Sequence, residues 1–566
     1  MARKKQIRKE QKVAAVSETG TKEEFILNKI DWFWVGTFLV VGLSVLIRIN
    51  FLEIPFERDE GTYTYYAQLQ LDGKNLYTSF DAMKFPGIYY AYAVIIAIFG
   101  ATIQGVHLGF LILNVITTFW LIRSAKILFD KNTALIVGLS YVVLSMAPNL
   151  SGFTVQSEHL IAFFLAGSLL YSLKAIESQK LYLFFISGLL VGASIMIKQS
   201  AVFYILFIGI YFLVESFVNK AIDWPQRMRQ LGMYSVGVFT FFVLGLIVVK
   251  AQGVWDDFVF WTMEYPKSYA SQIKWEQGKQ LLSMTFDRII LNYEVFWILS
   301  GLGLVAVLFL KNVPIRTKVF YWLFAIFAFL TVVPGFRFYG HYWIQLVPAL
   351  AIFIGLAFYS ITELIRARIK IDKIKIVGLV IFVLIISSHL SSQRDYYFKP
   401  DHTQILRKVY GLNPFPEAKV IGDYIKSRTQ EGDEIVVLGS EPQIHFYSGR
   451  RSPSKHSYMA HLVGLHEDHR IWQKEFFQTI ENAMPEYLVF FDHSVSWLVQ
   501  QGADQTIFSW YNKFATENYK LVGIADMISP TQTVYVWDNN VNNYQPKGQY
   551  KIFTFKLNKP RNIEGQ

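Results

Sequence analysis

The chain has no cysteine in 566 residues, which excludes disulfides, thiolate catalysis and iron–sulfur ligation. It is also poor in charge: 17% of its residues are Asp, Glu, Lys or Arg, against 53% hydrophobic and 17% aromatic. Soluble domains rarely carry that ratio, and apolar runs of near-spanning length recur along the chain, so it reads as a polytopic membrane protein. No Walker A loop is present, which argues against ATP-driven transport by this chain. No Gly-x-Ser-x-Gly elbow is present either. Gly301-Leu-Gly303 is half a dinucleotide fingerprint, but it lies inside an apolar run, where small residues serve helix packing. His461, His466 and His469 with Glu467 and Asp468 carry ligand atoms without His-Glu-x-x-His spacing.

What is there is a basic, apolar chain. The formal charge of +11 gathers near the ends of the apolar runs and in the N-terminal tail (Arg3, Lys4, Lys5, Arg8, Lys9, Lys12). That placement speaks for membrane orientation and against a nucleic-acid partner. The first apolar run, Trp32 to Leu52, exceeds a signal-peptide core and lacks a small-residue cleavage site, so it is expected to be retained. Spans are predicted at 32–52, 105–122, 133–149, 159–173, 181–197, 200–218, 231–250, 289–310, 319–334, 342–361 and 375–390. The run 88–103 decides the topology. If it does not cross, the N-terminal tail and every later Lys/Arg cluster fall on one side. It is therefore expected to lie at the outer interface, with Tyr89, Tyr90 and Tyr92 suited to that depth. The result is about eleven spans, the N-terminus cytoplasmic and the C-terminus extracytoplasmic.

That topology collects acids and bases on the outer face. Arg58-Asp59-Glu60 and Lys84 fall in the first outer loop, 53–104. Gln156, Glu158 and His159, then Lys198-Gln199-Ser200, follow in later connections, and Arg337, Tyr339 and His341 close the tenth span. Ionisable groups at membrane depth are costly and mark function by default. Tyr63, Tyr65, Tyr66 and Trp255 are suited to stack on sugar faces or, more simply, to anchor at the interface. The chain is thus divided into a basic tail (1–31), a helical membrane domain (32–390) and an extracytoplasmic domain (391–566). In the last, a helix near 420–429 and strands at 434–438, 487–491 and 534–537 predict an α/β fold, with a loosely ordered tail after Asp538.

Four segments carry a resemblance: Arg58-Asp59-Glu60-Gly61-Thr62-Tyr63 with Lys84-Phe85-Pro86-Gly87; Gln156-Ser157-Glu158; Arg337 through His341 to Pro348; and Gly439 to Arg450. Together, in this order, they resemble membrane glycosyltransferases of the GT-C fold, in the bacterial group related to protein O-mannosyltransferases and the aminoarabinose transferase of lipid A. Phe85 stands where that family has the first Pro of Lys-Pro-Pro. The resemblance implies a polyprenyl-phosphate sugar as donor and a lipid, protein or glycan hydroxyl as acceptor. It implies Asp59 as general base, with Glu60 positioning it or holding its loop, and Arg58, Lys84, Arg337 and His341 on the donor phosphate. Glu158, Tyr63 and Tyr339 are assigned to sugar or acceptor. The resemblance implies no definite cofactor and leaves a divalent cation at Glu158 and His159 open. The alternatives are a flippase of lipid-linked saccharides, which would need charges along a path through the spans, and a non-catalytic scaffold.

Overall fold

The computed structural model describes residues 31–219, 222–270, 273–369 and 374–558; the basic tail lies outside them. A helix occupies each of the eleven expected positions: α1 (Trp32–Arg48), α4 (Ile103–Leu128), α5 (Lys131–Leu144), α6 (Ser157–Ser178), α7 (Leu181–Ile195), α8 (Val202–Val218), α9 (Trp224–Ala251), α11 (Glu294–Ala306), α12 (Ile315–Leu330), α13 (Val347–Ile369) and α14 (Ile374–Ser392). Between them lie α2 (Arg58–Leu71), α3 (Gly87–Phe99) and α10 (Trp275–Ile290). Among the described residues seven helical stretches are long and apolar enough to cross a membrane, eight if a bent pair counts as one span, which does not confirm a count of eleven.

Local chemistry sets several boundaries. Asp31, Thr102 and Asp130 cap α1, α4 and α5 by accepting from the first free backbone N–H groups. The run 289–310 is a bent pair: α10 and α11 meet at 109°. The break is at Asn292, whose φ is 67°, while Asn149 Nδ2 donates to the carbonyls of Arg288 and Leu291 at 2.8 and 3.2 Å and closes the end of α10. Residues 289 and 290 therefore end one helix and do not begin the next. Close approach of helices uses glycine. A Cβ on Gly188, Gly192 or Gly237 would come within 2.1–2.3 Å of backbone carbonyls across the α7–α9 contact. Gly303 is likewise pressed on Phe353 O of α13, the packing role expected of it, whereas Gly301 faces open space.

Helix α3 has 13 residues, about 20 Å of rise against a hydrocarbon core of about 30 Å. Tyr89 and Tyr92 do not sit at an interface. Both are buried, against Tyr63, Tyr66 and Phe110. Tyr63, Tyr65 and Tyr66 on α2 are buried too, which removes interface anchoring as their role; Trp255 remains 41% exposed.

The C-terminal part carries a five-stranded sheet in the order β1-β2-β5-β3-β4. Its strands are β1 (Ile435–Leu438), β2 (Tyr487–Asp492), β3 (Tyr519–Ser529), β4 (Gln532–Trp537) and β5 (Tyr550–Leu557). Only β1 and β2 run parallel. The tail expected to be loose contributes β5, the central strand. Its Asn- and Lys-rich surroundings hide an alternating Ile552, Thr554 pair buried on one face.

Helix α2 ties the two parts together. Gly61 lies against Gln443 so tightly that a Cβ would come within 2.6 Å of Gln443 Cβ. Phe56 N donates to Tyr447 Oη at 2.7 Å, and Arg451 meets Asp72 at 2.6 Å. Tyr65 stacks on His445, ring centres 4.7 Å apart.

Candidate active site

Where α2, the 77–89 segment and the C-terminal part converge, they enclose a cavity of about 380 Å³. Its wall takes Asp59, Lys84, Glu158 and His341 from the helical part and Asn413, Tyr458 and His461 from the C-terminal part. Each is delivered by identifiable local structure. Glu57 caps α2 and forms a reciprocal box: its carboxylate accepts from Glu60 N, and the Glu60 carboxyl accepts from Glu57 N, both at 2.8 Å. The box fixes the first turn and points Asp59 into the cavity.

Asp59 and Glu60 therefore differ sharply. The Asp59 side chain is 40% exposed, with Oδ2 4.0 Å from His341 Nε2. Glu60 is fully buried and is absent from the cavity wall. It accepts from Val155 N and lies 3.7 Å from His107 Nε2. Of the two roles expected of it, positioning Asp59 or holding its loop, the contacts match the second: Glu60 ties the first loop to the second. Burial raises its pKa to about 8. Burial, with the charges of Asp59 and Glu60, also pushes Glu57 well above the ordinary carboxylate range.

The expected cations separate in the same way. Lys84 lines the cavity; its carbonyl accepts from Tyr77 Oη at 3.0 Å, and Phe85, in place of proline, packs on Phe242 and Phe258. A Cβ on Gly87 would meet Met196 O at 2.6 Å, so the motif's glycine is needed for close packing. Arg58 reaches the wall, but its guanidinium is spent on Glu441 at 2.6 Å and Ser440 O at 2.7 Å. It joins α2 to the C-terminal part. Arg337 is absent from the wall; its Nη1 donates to Tyr339 Oη at 3.4 Å. Tyr339, 45% exposed, stacks beside His341 with ring centres 5.9 Å apart. Tyr63 reaches the wall with its ring buried.

Glu158 is fully buried on the wall, paired with Lys198 Nζ at 2.5 Å and accepting from Ser157 Oγ at 2.9 Å. Lys198 also sits 3.5 Å from the centre of the Tyr342 ring. The sequence placed Lys198 on this face but gave it no role. The signal was the need of Glu158, at membrane depth, for a cation. His159 is buried off the wall, and among the described residues no group of three or more His, Cys, Asp or Glu could hold a metal ion. His461 and His466 lie instead in an aromatic layer with Trp261, Tyr265 and Trp472.

The comparisons fit this architecture. Residues 84–244 match the family model for dolichyl-phosphate-mannose-protein mannosyltransferase. The match includes Lys84, Glu158 and Lys198 and stops short of Asp59 and His341. A comparison with curated proteins found no match. Among solved structures the chain resembles ArnT from Cupriavidus metallidurans bound to undecaprenyl phosphate, at 13% identity and TM-score 0.56, over 92% of this chain and 97% of that one. It also resembles the archaeal oligosaccharyltransferase AglB from Archaeoglobus fulgidus, in complex with an inhibitory peptide and a dolichol-phosphate, at 12% identity and TM-score 0.50, over 90% and 74%. The chain has the GT-C fold of membrane glycosyltransferases, and residues 84–244 of its helical part match the mannosyltransferase family model.

Proposed function

We propose that this protein transfers a sugar, a hexose or a pentose, from a polyprenyl-phosphate donor to an acceptor hydroxyl at the outer face of the cell membrane. The observation that carries the reading is the placement of Asp59: of the three acids at the start of α2, Glu57, Asp59 and Glu60, it alone is not buried, on a cavity wall shared with Lys84 and His341. As base it takes the acceptor hydroxyl's proton while the new C1–O bond forms and the bond from C1 to the lipid phosphate breaks, with inversion. Lys84 offsets the charge on the departing phosphate, and His341 donates a hydrogen bond to it. Arg58 and Glu60 support the turn and do not act on substrate. Helices long enough to span, and the phosphate lipids bound in the ArnT and AglB structures, support a lipid-borne donor. The clustering of Lys and Arg supports a cytoplasmic N-terminus, a C-terminal domain outside, and the division at about residue 390.

The test is sugar release from a panel of polyprenyl-phosphate sugars by protein reconstituted in lipid, wild type against Asp59→Ala. Release by wild type alone is expected. No release by folded wild type with any donor, acceptors supplied, refutes the transferase reading. Ordinary release by Asp59→Ala refutes the base assignment.

A further inference from the structure

A further acid, Asp81, lies on the same wall. Its residue is 3% exposed, and its Oδ2 sits 2.6 Å from His456 Nδ1. Its other oxygen, Oδ1, is buried and has no hydrogen-bonding partner among the described residues. The nearby hydroxyls are spoken for: Ser457 Oγ donates to Tyr66 Oη at 2.9 Å, and Tyr265 Oη pairs with His461 Nδ1 at 2.8 Å. A buried acceptor left without a donor is unfavourable, and a ligand donor entering the cavity relieves it.

The charge of that donor follows from what lies behind Asp81. Burial alone would lower the His456 pKa, but Asp81 and Glu475 outweigh it and raise the value to about 9, so the ring is cationic at neutral pH. His456 Nε2 is 3.8 Å from Glu475 Oε2, and Glu475 Oε1 is 2.9 Å from Lys455 Nζ. Asp81, His456, Glu475 and Lys455 thus alternate in sign and sum to zero. Nothing in that row calls for a cationic ligand; a neutral O–H completes it.

We propose that Asp81 Oδ1 accepts a hydrogen bond from a hydroxyl of the donor's sugar, so that the cavity selects a neutral, hydroxylated sugar over one bearing an ammonium at that position. The inference rests on reading the cavity as a lipid-linked-sugar site. The test is equilibrium binding to the full chain in lipid, with undecaprenyl-phosphate mannose, glucose and arabinose, their monodeoxy and monoamino analogues, and bare undecaprenyl phosphate. In wild type, removing one particular hydroxyl is expected to weaken binding tenfold or more. In Asp81→Ala that penalty falls to within threefold, while affinity for the bare lipid is unchanged. Asp81→Asn, should the alanine variant not fold, narrows the penalty. An equal penalty in wild type and variant, or no monodeoxy penalty in wild type, overturns the proposal. So does a monoamino analogue bound as tightly as its parent sugar. Because binding needs no turnover, a wild type that binds sugar through Asp81 yet releases none refutes the transferase reading and leaves this contact standing.

Discussion

Asp59 and Glu60 are neighbours on one helical turn, yet they occupy different regions of the molecule. Asp59 belongs to the wet cavity and Glu60 to the dry seam that joins the first loop to residue 155. Successive helix positions point about 100° apart, so a pair that reads as one acidic motif is divided by packing into a group open to ligand and a group closed to it. Burial disfavours the charge on Glu60 at neutral pH, whereas the Asp59 side chain is 40% exposed beside His341. A carboxylate pair in sequence is therefore no guide to shared chemistry.

The strongest way to break that comparison is Asp59→Asn. Transfer is expected to fall by about 10²–10⁴-fold, with folding and membrane insertion intact by size-exclusion chromatography; a variant within tenfold of wild type would unseat Asp59. Lys198→Met comes next. It leaves the buried Glu158 without its cation and is expected to cost about 3–5 kcal/mol of stability, read as a lowered thermal midpoint, and the added change Glu158→Gln should recover most of it. Glu60→Ala should cost about 1–3 kcal/mol by leaving the N–H groups of Glu57 and Val155 unpaired, while activity per folded molecule stays within a few-fold. A loss of activity as deep as that of Asp59→Asn, in folded protein, would put Glu60 back at the chemistry. Lys84→Ala is expected to raise the donor KM about tenfold with a smaller change in kcat, since it removes a charge-assisted contact. The gentlest test is pH. The raised pKa of Glu60 means that the folded state favours its protonated form, so this contribution is intact below about 4.5 and is lost as pH rises through about 8. The thermal midpoint of wild type should decline across that window, and Glu60→Gln should flatten the decline.

Much of the architecture was legible because its signals are local. Apolar runs announce the helices at all eleven expected positions but not α10, the strands Ile435–Leu438 and Tyr487–Asp492 are short apolar runs, and the GT-C motifs stand at recognisable spacing. The misreadings share one cause, that the deciding contact is distant in sequence. The aromatic residues of α2 and α3 resemble interface anchors until they are seen to bury one another. Arg58 resembles a phosphate ligand until Glu441, 383 positions away, claims it. Strand β5 hides in a polar tail because its partners β2 and β3 supply the sheet.

The sequence by itself determined the helical membrane class, because hydropathy acts within a few residues, and its family resemblance singled out Asp59. Tertiary structure alone decided which ionisable groups share the cavity. It set Lys198 on Glu158, drew Arg58 to the C-terminal part, moved Arg337 off the wall and left Asp81 with one oxygen to offer. The physical reason is desolvation: whether a charge is paired, neutralised or left for a ligand depends on what surrounds it in space.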